Sequence, residues 1–145
     1  CIKICIIFFA VLALTSPAYA ATYLGELKWE LSNENEEDKA TLVTGITHMG
    51  GNYLLVQGYL DTPDEDGAIV FNGSGIVMDE KLLMTLNFSH QHIKSQWRDE
   101  GTWHVEIALS SWNGTFWSIG SSYDLEGERH DLEDFYQGSI RLMLD

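Results

Sequence analysis

Apolar and polar residues alternate along most of the chain after residue 20. In the run YLGELKWEL, residues 23–31, one face carries mainly Tyr, Leu and Trp, and the other is mostly charged. This is the period of a β-strand with one buried face and one solvated face. No segment of ten residues shows the helical period of about 3.6 residues. The pattern predicts an all-β protein.

About eight strands are expected, separated by short polar or glycine-containing connections. The segment 68–78 contains Asn72-Gly73, which is either a tight turn or part of one long strand bent at Gly73 and Gly75. Each half is short for a separate strand, so we interpret the segment as one strand. Residues 91–101 form an irregular connection in this interpretation. The predicted strands are 23–31, 40–49, 53–60, 68–78, 82–90, 102–112, 115–123 and 135–144.

The order of these elements favours an antiparallel sheet. No strand–helix–strand alternation is present, so a parallel sheet is not expected. Eight sequential strands form either an up-and-down β-barrel or a two-sheet β-sandwich. Barrel closure removes exposed strand edges, and glycines within the strands suit a strongly bent sheet. We predict an antiparallel meander closed into an up-and-down barrel, with the sandwich as the alternative.

This arrangement is similar to the calycin class, the small eight-stranded barrels that include the lipocalins and avidins. The features that carry the resemblance are the leader segment, about eight alternating strands, and Trp29 in the first strand. The lipocalin Gly-x-Trp motif is absent, since the nearest element is Lys28-Trp29-Glu30 and Gly25 is misplaced for it. The resemblance is architectural and implies a barrel, and no family residues are transferred.

The first twenty residues have the features of a signal peptide. Lys3 precedes an apolar run from Ile4 to Leu14, and Ala18-Tyr19-Ala20 fits the small-x-small cleavage rule. The run is short for a helix crossing a hydrocarbon core of about 30 Å. A retained membrane anchor is the alternative. We predict cleavage after Ala20, with residues 21–145 forming a single β-barrel-like domain without membrane insertion.

Composition limits the environment and the partners of the domain. Both cysteines, Cys1 and Cys5, lie in the leader, so the domain has neither a disulfide nor a thiol nucleophile. An exported protein without disulfides suggests a bacterial periplasm or exterior. The formal net charge of −14 disfavours nucleic acid and anionic membranes as partners, because both require Lys and Arg. It also favours solubility and weak binding of cations.

The segment SSWNGTFWSIG, residues 110–120, predicts a hairpin. Asn-Gly between alternating runs is the strongest short-range signal for a two-residue turn. With Asn113-Gly114 as that turn, Trp112 and Trp117 fall diagonally on one face, opposite to the more apolar face. Both rings then either pack under a neighbouring loop or form an interaction surface for a protein or a sugar.

The leading functional hypothesis is a non-enzymatic binding protein. An eight-stranded barrel is just wide enough for side chains or for one small ligand. We expect that ligand to be a small apolar or amphipathic molecule, and no cofactor is expected. A filled core would use the same inward residues as a ligand cavity. The inward residues predicted to bind it are Trp29, Tyr53, Leu86, Val105, Ile107 and Phe116.

The second hypothesis is a periplasmic module that binds a protein or a carbohydrate through Trp112 and Trp117, and the third places a metal ion at the end of a strand. His90 and His92 lie on one side of an extended segment, and such a pair provides two ligands for zinc or copper. The third ligand would come from His48, His104, His130 or a carboxylate. A solvated strand end is the alternative interpretation.

Other candidate chemistry is weak. Residues Asp61, Asp64 and Asp66 do not fit an EF-hand, although a different calcium site is an alternative to a charged loop. No Gly-x-Ser-x-Gly elbow, phosphate loop or dinucleotide motif is present. No catalytic residue is therefore predicted, and the protein is not expected to be an enzyme.

Overall fold

The computed structural model describes residues 21–34, 38–61, 69–131 and 137–143. The predicted signal peptide and two of the proposed calcium ligands, Asp64 and Asp66, lie outside these residues. No helix in the described ranges is long and apolar enough to cross a membrane. The strands are β1 (Thr22–Asn33), β2 (Lys39–Gly50), β3 (Tyr53–Asp61), β4 (Ile69–Met78), β5 (Lys81–Gln91), β6 (Arg98–Ala108), β7 (Asn113–Tyr123), β8 (Arg129–Asp131) and β9 (Gln137–Leu142).

The strands form a closed antiparallel barrel, as the alternation pattern predicts. Strands β1 to β7 follow one another around the barrel in sequence order. Strand β9 closes it, because β9 is hydrogen-bonded to β7 on one side and to β1 on the other. Strand β8 is an extra three-residue strand that pairs with the end of β7. The architecture is therefore an eight-stranded up-and-down barrel with one additional short strand.

The barrel interior is filled by one hydrophobic cluster drawn from all eight strands of the wall. Trp29 and Thr44, from neighbouring strands, are both fully buried. The Trp29 indole donates a hydrogen bond to Thr44 Oγ1 at 3.0 Å, which satisfies the buried N–H group. The apolar side chains of the interior alternate with more exposed positions along most of the strands, whereas β2 has three consecutive buried residues, Leu42, Val43 and Thr44.

The segment 69–78 is one continuous strand, which confirms the interpretation of Asn72-Gly73 as a strand element rather than a turn. Pairing with β5 runs without a register shift through Gly73, opposite Leu86. The β6 start was placed too late by the sequence pattern. Arg98 already pairs with Tyr123 and with Gln91, so residues 98–101 belong to the barrel wall.

The predicted two-residue turn at Asn113-Gly114 is wrong. Ala108 pairs with Asn113, so the connection between β6 and β7 is the four residues from Leu109 to Trp112. Trp112 adopts a φ of 55°, in the left-handed region, and its amide donates to Ala108 O at 2.8 Å. Asn113 and Gly114 therefore start β7 rather than form the turn.

Tyr53 was predicted to point inward and instead lies on the outer face, where 62% of its surface is exposed. Its neighbours explain the error: Leu54 and Val56 occupy the interior positions of β3. Because strand side chains alternate between faces, Tyr53 and Leu55 must point outward. The run Tyr-Leu-Leu-Val is apolar on both faces, so it gives no signal for the inner face.

Two strand glycines provide a test of how tightly neighbouring strands approach. A Cβ atom on Gly73 would lie 1.9 Å from Thr85 O, whereas a Cβ atom on Gly45 would lie 3.6 Å from Gln57 O. Neither residue has a positive φ. We expect Gly73→Ala to lower the free energy of unfolding by about 2 kcal/mol or more, through overpacking.

Gly45→Ala is the matched control. Ala loses less conformational entropy than Gly on folding, so this change should leave stability unaltered or raise it by up to about 1 kcal/mol. Urea denaturation of both variants measures the difference. Equal destabilisation of the two variants would contradict the close strand approach at Gly73.

Candidate functional site

One end of the barrel gathers four polar residues from four adjacent strands. His90 pairs with Asp99, Asp99 with Ser122, and Ser122 with His130. Directly opposed residues share a face of the sheet, so these side chains form a row across β5, β6, β7 and β8. We call this end of the barrel the mouth. It also carries the β5–β6 connection, residues 92–97, and the β7–β8 turn, residues 124–128.

Three potential metal ligands meet at the mouth. His92 Nε2 donates a hydrogen bond to Asp99 Oδ2 at 2.5 Å, and His90 Nδ1 lies 3.8 Å from the same oxygen. The centroids of the two imidazole rings are 3.9 Å apart. One ligand atom from each residue lies within 4.8 Å of the others. The two imidazoles and the carboxylate therefore lie close enough together to hold one metal ion.

This cluster is set into the barrel rather than projecting from it. Only 3% of His90 is exposed. Beneath it, the Phe88 and Trp103 rings stack with centroids 4.4 Å apart. Ser122 Oγ donates to Asp99 Oδ1 at 2.5 Å, which leaves Oδ2 directed at the histidines. The carboxylate is thus oriented by a neighbouring hydroxyl, as outer partners commonly orient metal ligands.

A second histidine–carboxylate pair lies beside this cluster. His130 Nε2 donates to Asp124 Oδ2 at 3.1 Å, and the amide of Glu128 donates to Asp124 Oδ1 at 2.8 Å. Trp97 packs against His130, with ring centroids 5.1 Å apart. The hydrogen bond from His130, followed by that from the Glu128 amide, lowers the pKa of Asp124. Asp124 therefore holds the β7–β8 turn closed.

Of the four sources expected for a third ligand, a carboxylate is the one that meets His90 and His92. His48 lies at the opposite end of the barrel, where its Nε2 is 3.0 Å from Gly51 O. His104 stacks on Trp117 on the outer face. His130 reaches the mouth but bonds to Asp124.

The predicted ligand-binding residues other than Tyr53 lie in the barrel interior. All five belong to the single hydrophobic cluster, and three of them have 0% exposure. A residue at 0% exposure adjoins no void large enough for water. The structure therefore uses these side chains as core. The five residues are Trp29, Leu86, Val105, Ile107 and Phe116.

The structure separates Trp112 from Trp117. Trp112 lies in the β6–β7 connection and packs against the hydrophobic cluster, with its ring centroid 6.4 Å from that of Trp29. Trp117 is on the outer face of β7 and is 46% exposed. Because the turn is longer than predicted, the two rings do not share a patch.

Sequence reasoning missed Asp99 and Ser122. Asp99 occupies an inward position of β6, where a charged residue interrupts the alternation and makes the segment look irregular. One feature of the sequence does point to Asp99. Trp103, Gly101 and Asp99 are alternate residues, so if the strand extends that far, Asp99 lies on the same inward face as Trp103. Ser122 carries no comparable signal, because its role depends on the β6–β7 register.

The chemistry of the cluster matches borderline transition metals. Imidazole nitrogen with one carboxylate suits Zn²⁺, Cu²⁺, Fe²⁺ or Ni²⁺, whereas Ca²⁺ and Mg²⁺ require mainly oxygen ligands. Ligand bonds of 2.0–2.2 Å in a tetrahedron place ligand atoms about 3.3–3.6 Å apart. The separations of 2.5 Å and 3.8 Å at Asp99 Oδ2 bracket that range. The two separations at this oxygen are therefore near the spacing that a tetrahedral ion requires.

Comparison with known proteins gives no relative: no protein family, no curated protein and no solved structure matches the chain.

The lowered pKa of Asp124 predicts a specific pH dependence. A carboxyl whose pKa is lowered by folding stabilises the protein above its ordinary pKa of 3.8, and this contribution disappears as the pH falls below that value. We expect Asp124→Asn to melt at a lower temperature than wild type at about pH 5.5. The difference in melting temperature between the two proteins should become smaller below about pH 4. Thermal unfolding of both proteins across this pH range measures the difference. A difference that does not change with pH would contradict a stabilising role for the ionised Asp124 carboxylate.

Proposed function

We propose that this protein is an exported, non-enzymatic binding protein whose ligand is a divalent transition-metal ion, bound at the mouth by His90, His92 and Asp99. The observation that carries the proposal is the convergence of two imidazole nitrogens and one carboxylate oxygen within 4.8 Å. Zn²⁺ is the best match among such ions, because it readily accepts a mixed nitrogen and oxygen set.

The existing hydrogen bond supports this proposal. In the absence of metal, a proton bridges His92 Nε2 and Asp99 Oδ2 across 2.5 Å. A metal ion takes the place of that proton, since ligating histidine must present a neutral nitrogen. Ser122 continues to hold the second carboxylate oxygen. The carboxylate is therefore already oriented toward the two histidines.

The packing of the barrel favours the mouth over the interior as the binding place. A small apolar ligand would require a cavity of roughly 300 Å³ among the inward side chains. Leu86 and Ile107, at the centre of those side chains, are completely buried against their neighbours. The mouth, by contrast, combines polar ligands with an aromatic floor of Phe88 and Trp103.

Charge and predicted export fit the same role. The net charge of −14 attracts cations to the protein surface. The three residues leave one coordination position of a tetrahedral ion open, and that position accepts water or a further ligand. An exported acidic protein of this kind would capture or carry metal outside the cytoplasm.

Zinc titration tests the proposal directly. Calorimetry of the metal-free protein should show one Zn²⁺ bound per chain, and excess Zn²⁺ should raise the melting temperature. At a free concentration of 100 Kd, the free energy of unfolding rises by about 2.7 kcal/mol. His92→Ala removes a ligand and should weaken binding more than about tenfold, while Ser122→Ala should weaken it by about tenfold.

Two histidine variants serve as controls. His104→Ala removes an imidazole from the outer face, and His130→Ala removes one from the neighbouring pair with Asp124. Neither should alter the affinity of the proposed site for Zn²⁺ more than about twofold, because neither imidazole is one of its ligands. His130 forms a second group of potential ligands with Asp124 and Glu128, so a loss of binding in His130→Ala would place the ion there instead. The proposal is overturned if wild type binds no Zn²⁺, or if His130→Ala rather than His92→Ala abolishes binding.

A further inference from the structure

A polar groove crosses the outside of the barrel, away from the mouth cluster. It consists of three adjoining depressions of about 520, 270 and 370 Å³. Ser139 lines the first and the second, and Glu30 and Lys39 line the second and the third. The depressions therefore adjoin one another in a row that runs from Trp117 on β7 to Asp61 on β3.

The strand register explains why the groove is polar along its length. One row of opposed residues runs from Asn113 through Arg141, Glu30 and Thr41 to Asp61. This row crosses five strands, which at a spacing of about 4.8 Å gives a length of about 19 Å. Every member of the row has a polar side chain, and opposed residues share the outer face.

Trp117 provides an aromatic surface at one end of the groove. Its ring stacks on His104 of β6, with centroids 4.1 Å apart and planes inclined by 21°. Since β6 covers one face of the indole, the other face is turned toward β9 and the groove. Gln137, which pairs with Trp117 from β9, donates a hydrogen bond to Glu34, and both residues line the first depression. The exposed ring thus lies beside an amide and a carboxylate.

We infer that this groove binds a neutral oligosaccharide, with one sugar ring stacked on Trp117. The apolar face of a sugar ring packs on an indole, and its hydroxyls both donate and accept hydrogen bonds. The matching partners for these hydroxyls are amides, carboxylates and guanidinium groups, and the groove carries such groups along its length. Lys39 and Arg141 both bond to Glu30, so the charges of the groove largely neutralise one another. A neutral chain therefore fits better than a charged one.

The same features disfavour a peptide. Peptides commonly bind by adding a strand to a free sheet edge or by placing side chains in apolar pockets. Strands β9, β1 and β2 are each paired on both sides along the row. Trp117 is the large exposed apolar side chain among the described lining residues. A hydroxyl-rich chain lying across the strands needs neither a free edge nor apolar pockets.

Binding to a panel of neutral hexasaccharides tests the inference. The panel comprises β-1,4-linked glucose, xylose, mannose and N-acetylglucosamine hexamers, titrated into the full chain by calorimetry. We expect at least one hexamer to bind, and we expect Trp117→Ala to weaken its binding by about tenfold or more, as loss of an aromatic anchor commonly does. Ile119→Ala is the matched control, since Ile119 is on the same strand and face, is 61% exposed, and lies outside the groove lining.

A second variant protects the test against misfolding. Ser139→Ile places a branched, strand-compatible side chain at the junction of the first two depressions and should block the hexamer without removing the His104–Trp117 contact. Thermal unfolding verifies that each variant is folded. The inference is supported if both groove variants lose affinity and Ile119→Ala does not. It is overturned if no hexamer binds, or if Trp117→Ala and Ser139→Ile bind as tightly as wild type.

Discussion

The pairing of β9 with both β1 and β7 is the constraint on which the rest of the structure depends. These two ladders close the sheet, and closure defines an interior that one hydrophobic cluster fills. Without β9, strands β1 and β7 would present unpaired backbone groups to solvent. The outer groove also depends on β9, because this strand supplies Gln137, Ser139 and Arg141 to its lining.

The two candidate sites use closure in different ways. At the mouth, the barrel wall extends past the apolar core, so inward positions such as His90 and Asp99 carry polar groups above the Phe88–Trp103 stack. On the outside, register alone aligns polar side chains from five strands. Wall residues such as His90, Asp99 and Arg141 have a backbone fixed by hydrogen bonding, and a rigid scaffold positions ligand groups more precisely than a loop does. His92, by contrast, lies in the β5–β6 connection.

The alternation of apolar and polar residues correctly predicted, for most strand positions, which side chains face the barrel interior and which face solvent. Val105, Ile107 and Phe116 are interior as expected, although the turn beside them was placed incorrectly. Trp117 pairs with His104 instead of Ser110, an even displacement, so the faces of the strand residues did not change. Tyr53 was misplaced because its segment is apolar on both faces. Trp112 was misplaced because it belongs to the turn and not to a strand.

The sequence by itself determined the fold class, since a period of two is a local property that each strand carries independently. It also identified His90 and His92, whose spacing alone puts them on one side. Only the tertiary structure decided that Asp99, Ser122 and His130 join their row, and that Trp117 meets a polar groove. Those contacts join residues from different strands, and the register that brings them together is set by closure of the whole barrel.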